Sequence, residues 1–337
     1  MFDNQRPGVY SRYNISGFYS GTPGARDAAV IVKGIREQSD GLHCLSSYAE
    51  AVPIFAGNAL ILEALRLLFA GGADKVHVGV AGDDYAKAFS LLDGLDVGVL
   101  VCDCSEADDL DALRKFLKRG EDIQRECIAF LGVGDPEEAI SAAEALNCER
   151  AVLCCPVADT GKSPPNAVFA ACALAGRVIS ASTPIDNLSG EGFNLLCGAE
   201  RLPEETVQRL LSAGVCVFEE VGEEVELIRA LTTRTKDGDF PDSSLRSLNT
   251  VLIIDNVMRS IRRCLRHRLK GAPASVNSIR DQIAVELAEK IDEGIIRSAA
   301  PPKVSPDKSD PDVCVVELSF SVAHMPSRIH ITAHISV

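Results

Sequence analysis

Short apolar runs alternate with longer amphipathic stretches over most of this chain. Residues 28–32 (AAVIV) read as a short strand, and 58–69 (NALILEALRLLF) as a helix that stops at the Gly71-Gly72 pair. Residues 75–80 predict the next strand, 84–92 a helix and 97–103 a buried strand. A helix over 110–118 and a strand over 127–133 continue the series. Asp135 is placed as an N-cap, with Pro136 at the first helical position and Glu138 completing a capping box. Residues 151–157 predict a strand, and 165–174 a small-residue helix ending at Gly176. Pro203 opens another helix that stops at Gly214, ahead of a strand over 215–218. Such alternation indicates an α/β sheet with helices on both faces.

The pattern changes after about residue 230. Residues 243–270 read as one long helix and 275–293 as a second, followed by a Pro-rich linker over 299–312. Residues 313–322 (VCVVELSFSV) read as a strand, 323–327 as a turn and 328–337 as a closing strand. In that last segment Ile329, Ile331, Ala333, Ile335 and Val337 alternate with polar positions, the period of a half-buried strand. Two readings are open: the strand closes its own sheet, or it is donated to a neighbouring subunit. Residues 1–27, with Tyr10, Tyr13, Phe18 and Tyr19 among Gly, Ser, Asn and Pro, read as an extended arm that docks on something. No internal repeat recurs at a fixed period.

The length allows about two domains. Hydrophobic residues make up 46% and charged residues 24%, ordinary for a globular chain with a full core. A net charge of -14 opposes bulk affinity for nucleic acid or anionic membranes. No apolar run approaches the roughly 20 residues that span a bilayer, and the first residues lack the pattern of a signal peptide. Folding in a cytoplasm is therefore expected. In that setting the twelve cysteines read as core residues, because six lie in or beside apolar strands (Cys102, Cys104, Cys127, Cys154, Cys155, Cys216) and no CxxC pair is present.

The candidate chemistry is weak. Gly132-Val133-Gly134-Asp135 sits between a strand and a helix, but it lacks the third glycine of a dinucleotide loop and puts Asp135 where the pyrophosphate belongs. Gly161-Lys162-Ser163 resembles the end of a P-loop without its upstream glycine. Ser189 is not in a GxSxG elbow. His324, His330 and His334 lie in or beside the closing hairpin, where a solvated or interface face is expected. No catalytic constellation, metal set or cofactor site emerges.

One patch is unusual. Between 256 and 271 stand Arg259, Arg262, Arg263, Arg266, Arg268 and Lys270 without an acidic residue. Arg259, Arg263, Arg266 and Lys270 share one helical face. In an acidic chain this is a solvated face or a docking face for an acidic partner.

Several segments in order resemble the contractile tail sheath proteins of bacteriophages and related injection particles. They are Arg6-Pro-Gly-Val-Tyr10, Ser47-Tyr48-Ala49-Glu50, Phe55-Ala56-Gly57-Asn58, and a helix leading to Gly71-Gly72-Ala73-Asp74-Lys75-Val76. Later come the small-residue helix, Cys197-Gly198-Ala199, Ser212-Ala213-Gly214-Val215, a Leu231-Thr-Thr-Arg-Thr235 strand, and the long helix through Ile254-Asp255. The resemblance implies a subtilisin-like α/β core without the catalytic triad, a smaller α+β C-terminal domain and extended terminal arms. Longer sheaths carry an inserted β-sandwich after the first unit, for which this chain leaves no room.

It also implies a non-enzymatic subunit that forms hexameric rings stacked around a tail tube, with baseplate and tail terminator proteins as further partners. Its place would be the virion tail, after assembly in the bacterial cytoplasm. The expected domains are an arm over 1–27, a core over 28–232, a helical part over 233–310 and a hairpin arm over 311–337. Expected interface residues are Arg259, Arg263 and Arg266 toward the tube, Ile329, Ile331, Ile335 and Val337 in the donated strand, and Val9, Tyr10 and Tyr13 in the arm. The alternative is a cytosolic α/β enzyme with a nucleotide- or thiol-dependent site at its strand ends.

Overall fold

The computed structural model describes residues 27–33, 41–82, 84–181, 183–269, 275–308 and 313–322. Strands β1 (Asp27–Val32), β2 (Leu42–Leu45) and β3 (Lys75–Val80) come first, with helices α1 (Tyr48–Ile54) and α2 (Ala59–Ala70) between the last two. Next are α3 (Tyr85–Ser90), β4 (Val99–Cys102), α4 (Ala107–Asp122), β5 (Ile128–Gly132), α5 (Pro136–Leu146) and β6 (Ala151–Cys155). The short β7 (Ala158–Asp159) precedes α6 (Ala167–Ser180), and β8 (Glu191–Gly192) and β9 (Gly198–Ala199) precede α7 (Glu204–Ala213). Two hairpins follow, β10 (Val215–Val221) with β11 (Glu224–Leu227), and β12 (Lys236–Asp237) with β13 (Phe240–Pro241). Then come α8 (Leu248–Leu269), α9 (Val276–Asp292), β14 (Ile296–Ala299), β15 (Lys303–Pro306), β16 (Cys314–Glu317) and β17 (Phe320–Val322).

A nine-stranded sheet in the order β2-β3-β1-β4-β5-β6-β10-β11-β8 organises the molecule. The stretch from β3 to β10 is all parallel, and antiparallel β2 and β11 flank it. Helices α2 and α6 pack on one face, while α3, α4, α5 and α7 form a row on the other. Both faces are covered, so β1, β4 and β6 are continuous apolar runs rather than alternating ones. The expected α/β class with helices on both sheet faces is what is observed, and the sheet is mostly parallel.

Local chemistry sets the element ends. Asn58 and Asp84 cap α2 and α3 with their side chains, and Asp135 Oδ1 accepts from the backbone N–H of Glu137 and Glu138. Gly214 ends α7 in the left-handed region, φ +86°. Gly176, by contrast, does not end its helix, which runs on to Ser180. A Cβ on Gly71 would lie 2.4 Å from Gly176 Cα, so the two glycines let α2 and α6 cross at backbone contact.

Four other expectations change. Residues 231–235 are not a strand but a stitch: Thr233 N donates to Ala151 O (2.9 Å), and Thr232 Oγ1 donates to Leu245 O (2.7 Å). A turn over 243–246 and a bridge between Leu231 and Ser247 follow, so α8 starts at Leu248 rather than at 243. The Pro-rich linker contains β15, whose register with β16 runs from Lys303↔Glu317 to Pro306↔Cys314. Residues 313–322 split into β16 and β17, and β17 pairs with β14. Helix α9 packs on β14 and β15, and one cluster of buried apolar side chains runs from β1 through α8 and α9 to Val322.

Candidate assembly interface

In a sheet wound this way, an enzyme site would lie where the strand order reverses, outside the ends of β1 and β4. That place is occupied by the chain itself. Asp103, just after β4, accepts from Lys33 N at 3.0 and 3.2 Å on its two oxygens and takes a short hydrogen bond from Tyr85 Oη. Burial raises the Asp103 carboxyl above its ordinary range, against the hydrogen bonds that lower it. Burial, with the Asp103 charge beside it, also pushes the Tyr85 phenol upward. This is a clasp between strand ends.

The other sequence candidates are also structural. A Cβ on Gly132 would lie 2.3 Å from the Ala167 backbone, so this glycine serves close strand–helix packing and leaves no space for a phosphate. Gly161 turns the chain with φ +68°, its N–H donating to Asp159 Oδ1 at 2.7 Å. Ser189 Oγ accepts from Ala230 N at 3.1 Å. Among the described residues no group of three or more His, Cys, Asp or Glu converges as a metal site. All twelve cysteines are free thiols, seven of them buried.

The cationic helix is partly neutralised from outside its own segment. α8 is tied to the starts of the strands by two ionic ties. Arg150, 1% exposed just before β6, pairs with both oxygens of Asp255 at 2.6 and 2.7 Å and with Glu121 Oε1 at 2.7 Å. Glu126, just before β5, pairs with Arg262 Nη2 at 2.6 Å and lies 3.6 Å from Arg259 Nε. Arg259 also donates a short hydrogen bond to the Glu126 carbonyl. The charges of Arg259 and Arg262 are therefore not uncompensated, as the acid-free segment suggested. Arg263 and Arg266 are exposed and make no ion pair among the described residues.

Arg150, Glu121 and Glu126 escaped the sequence reading because they stand among ordinary helix and loop charges, far along the chain from α8. The expected arm residues Val9, Tyr10 and Tyr13 lie outside the described residues. So do Ile329, Ile331, Ile335 and Val337 of the closing strand, and His324, His330 and His334.

No protein-family model matches the chain. A tail sheath protein of Bacillus phage SP01 is 28% identical over 269 residues, covering 73% of this chain and 44% of that protein. The chain is thus similar in sequence to a tail sheath protein. It spans less than half the length of that relative. The helical sheath of the anti-feeding prophage in its contracted state superposes with a TM-score of 0.69, covering 98% of this chain and 99% of that one at 15% identity. A sheath tail protein from Listeria innocua gives 0.69, covering 90% and 93% at 13% identity. A chain of the anti-feeding prophage baseplate gives 0.71, covering 99% and 100% at 13% identity. The sheath fold thus spans both the parallel sheet and the C-terminal ribbons. In this chain only residues 81–84 separate β3 from α3, which fits the expected lack of an inserted sandwich.

Proposed function

We propose that the chain is a structural subunit of a contractile tail sheath. It polymerises with copies of itself as stacked six-membered rings around a tail tube and contracts to drive the tube through a target envelope. The observation that carries this reading is the match over 269 residues to a tail sheath protein. The role is structural rather than enzymatic. The parallel sheet with helices on both faces supports a subtilisin-like core that has lost its triad. Residues 1–27 and 323–337 serve as arms linking neighbours, whereas 313–322, expected as part of the arm, pair with β14 and β15 of their own subunit. Tube, baseplate and terminator proteins are the further partners, and the place is the particle's tail. Within the expected tube-facing set, Arg263 and Arg266 are the side chains free to reach outward, because Glu126 engages Arg259.

Negative-stain microscopy of the purified protein tests the reading. Hollow, cross-striated tubes are expected at high concentration. Uniformly small particles under the same conditions would overturn it.

A further inference from the structure

The β12–β13 hairpin is held firmly at its base and bare at its tip. Asn147, the left-handed C-cap of α5, accepts from Thr235 N (3.0 Å) and Lys236 N (3.1 Å) and donates to Lys236 O (3.0 Å). Arg234 bridges Glu149 (3.3 Å) and Asp237 (3.0 Å). Asp237 and Phe240 pair across a two-residue turn whose first position, Gly238, has φ +57°. Phe240 is 77% exposed, whereas Phe55, Phe89, Phe130, Phe169 and Phe218 are fully buried. Asp237 and Asp239 flank it in the open. A rigid projection with an aromatic tip has the form of a binding anchor, since little ordering remains to be done on contact.

A second exposed apolar feature has the complementary charge. The outward face of the β15–β16 ribbon carries Val313 and Val315, 44% and 40% exposed, while Val304 on its other face is buried. Lys308 is exposed beside these valines, while Lys303 is matched by Glu317 at 3.6 Å across the ribbon.

We propose that the β12–β13 tip docks on the outward face of the β15–β16 ribbon of a second copy. Phe240 lies against Val313 and Val315, and Asp239 faces Lys308. This rests on the self-assembly reading above and names one of its contacts. Two different patches joined in this way form a heterologous contact, which repeats into rings or helical arrays rather than stopping at a dimer.

The full chain is polymerised as wild type, as Phe240→Asp, and as Asp239→Lys alone and combined with Lys308→Asp. Sedimentation gives the critical concentration, and circular dichroism monitors the fold. Phe240→Asp is expected to stay folded and to raise the critical concentration at least about tenfold. Asp239→Lys should weaken assembly, and Lys308→Asp should restore part of it. A benzophenone side chain placed at position 240 should crosslink to 313–317 of another copy. Wild-type tubes with unchanged assembly of Phe240→Asp, or crosslinks confined to other segments, would overturn this contact and leave the sheath reading standing. Wild type that never polymerises would overturn both.

Discussion

At Gly132 one methyl group decides whether β5 and α6 can touch. A side chain there would meet the Ala167 carbonyl carbon and oxygen at 2.3 Å, and backbone cannot rotate away as a flexible side chain can. Gly132→Ala is therefore expected to cost about 1–3 kcal/mol through overpacking. The expected readout is a lower denaturant midpoint at unchanged slope. An unaltered midpoint would mean that α6 shifts without penalty. The sequence shows a glycine-containing loop here but not its purpose, because Ala167 is remote in the chain. The cysteines were more legible, since a thiol's apolar neighbours are visible locally. Burial pushes Cys127 and Cys155 up to about 12, so they stay protonated and behave as small hydrophobes.

Among the elements, α8 depends most on electrostatics. Burial alone would raise the Asp255 carboxyl, but the charge and hydrogen bonds of Arg150 overcome this and hold it below the ordinary range. A carboxyl depressed in the fold stabilises it above its unfolded pKa, and that stability is lost as pH falls through the folded value. Asp255→Asn is expected to destabilise by about 3 kcal/mol at neutral pH, because buried Arg150 is left with Glu121 alone as counter-charge. The loss should shrink below about pH 4, where wild type begins to lose the same contribution. Unfolding midpoints measured from pH 7 to pH 3 check this; a pH-independent difference would show that packing, not charge, makes the contact. Other elements were readable from punctuation. Asp135 and Gly214 act within one turn of their own positions, so this N-cap and this helix stop came out as expected. β15 was hidden because its proline reads as linker, yet Pro306 is its last residue, where a missing N–H costs the ladder little. The Leu231–Thr235 stitch reads as a strand because its β-branched residues serve side-chain hydrogen bonds to 148 and 245.

For the whole molecule, the net charge of -14 makes any exposed cationic surface informative, because the field around it draws acidic partners there. The ionic ties under the sheet divide the arginines of α8 into two classes. Arg259 and Arg262 belong to the fold, neutralised by a glutamate that no inspection of the 256–271 segment could reveal. Arg263 and Arg266 point away from it. The two classes predict different failures. Arg262→Glu would place a carboxylate against buried Glu126, so the subunit itself should be destabilised, with a lowered melting temperature before any assembly is attempted. Arg263→Glu combined with Arg266→Glu removes exposed charges that make no ion pair among the described residues. That variant should melt as wild type does and should still form sheath-like polymer without a tube. If the proposed tube contact is right, its co-assembly on an acidic tube should be lost, and wild-type co-assembly should weaken as salt screens the attraction. Co-sedimentation with purified tubes at low and high salt reads both effects. Unchanged co-assembly of the double variant would move the tube contact to another surface.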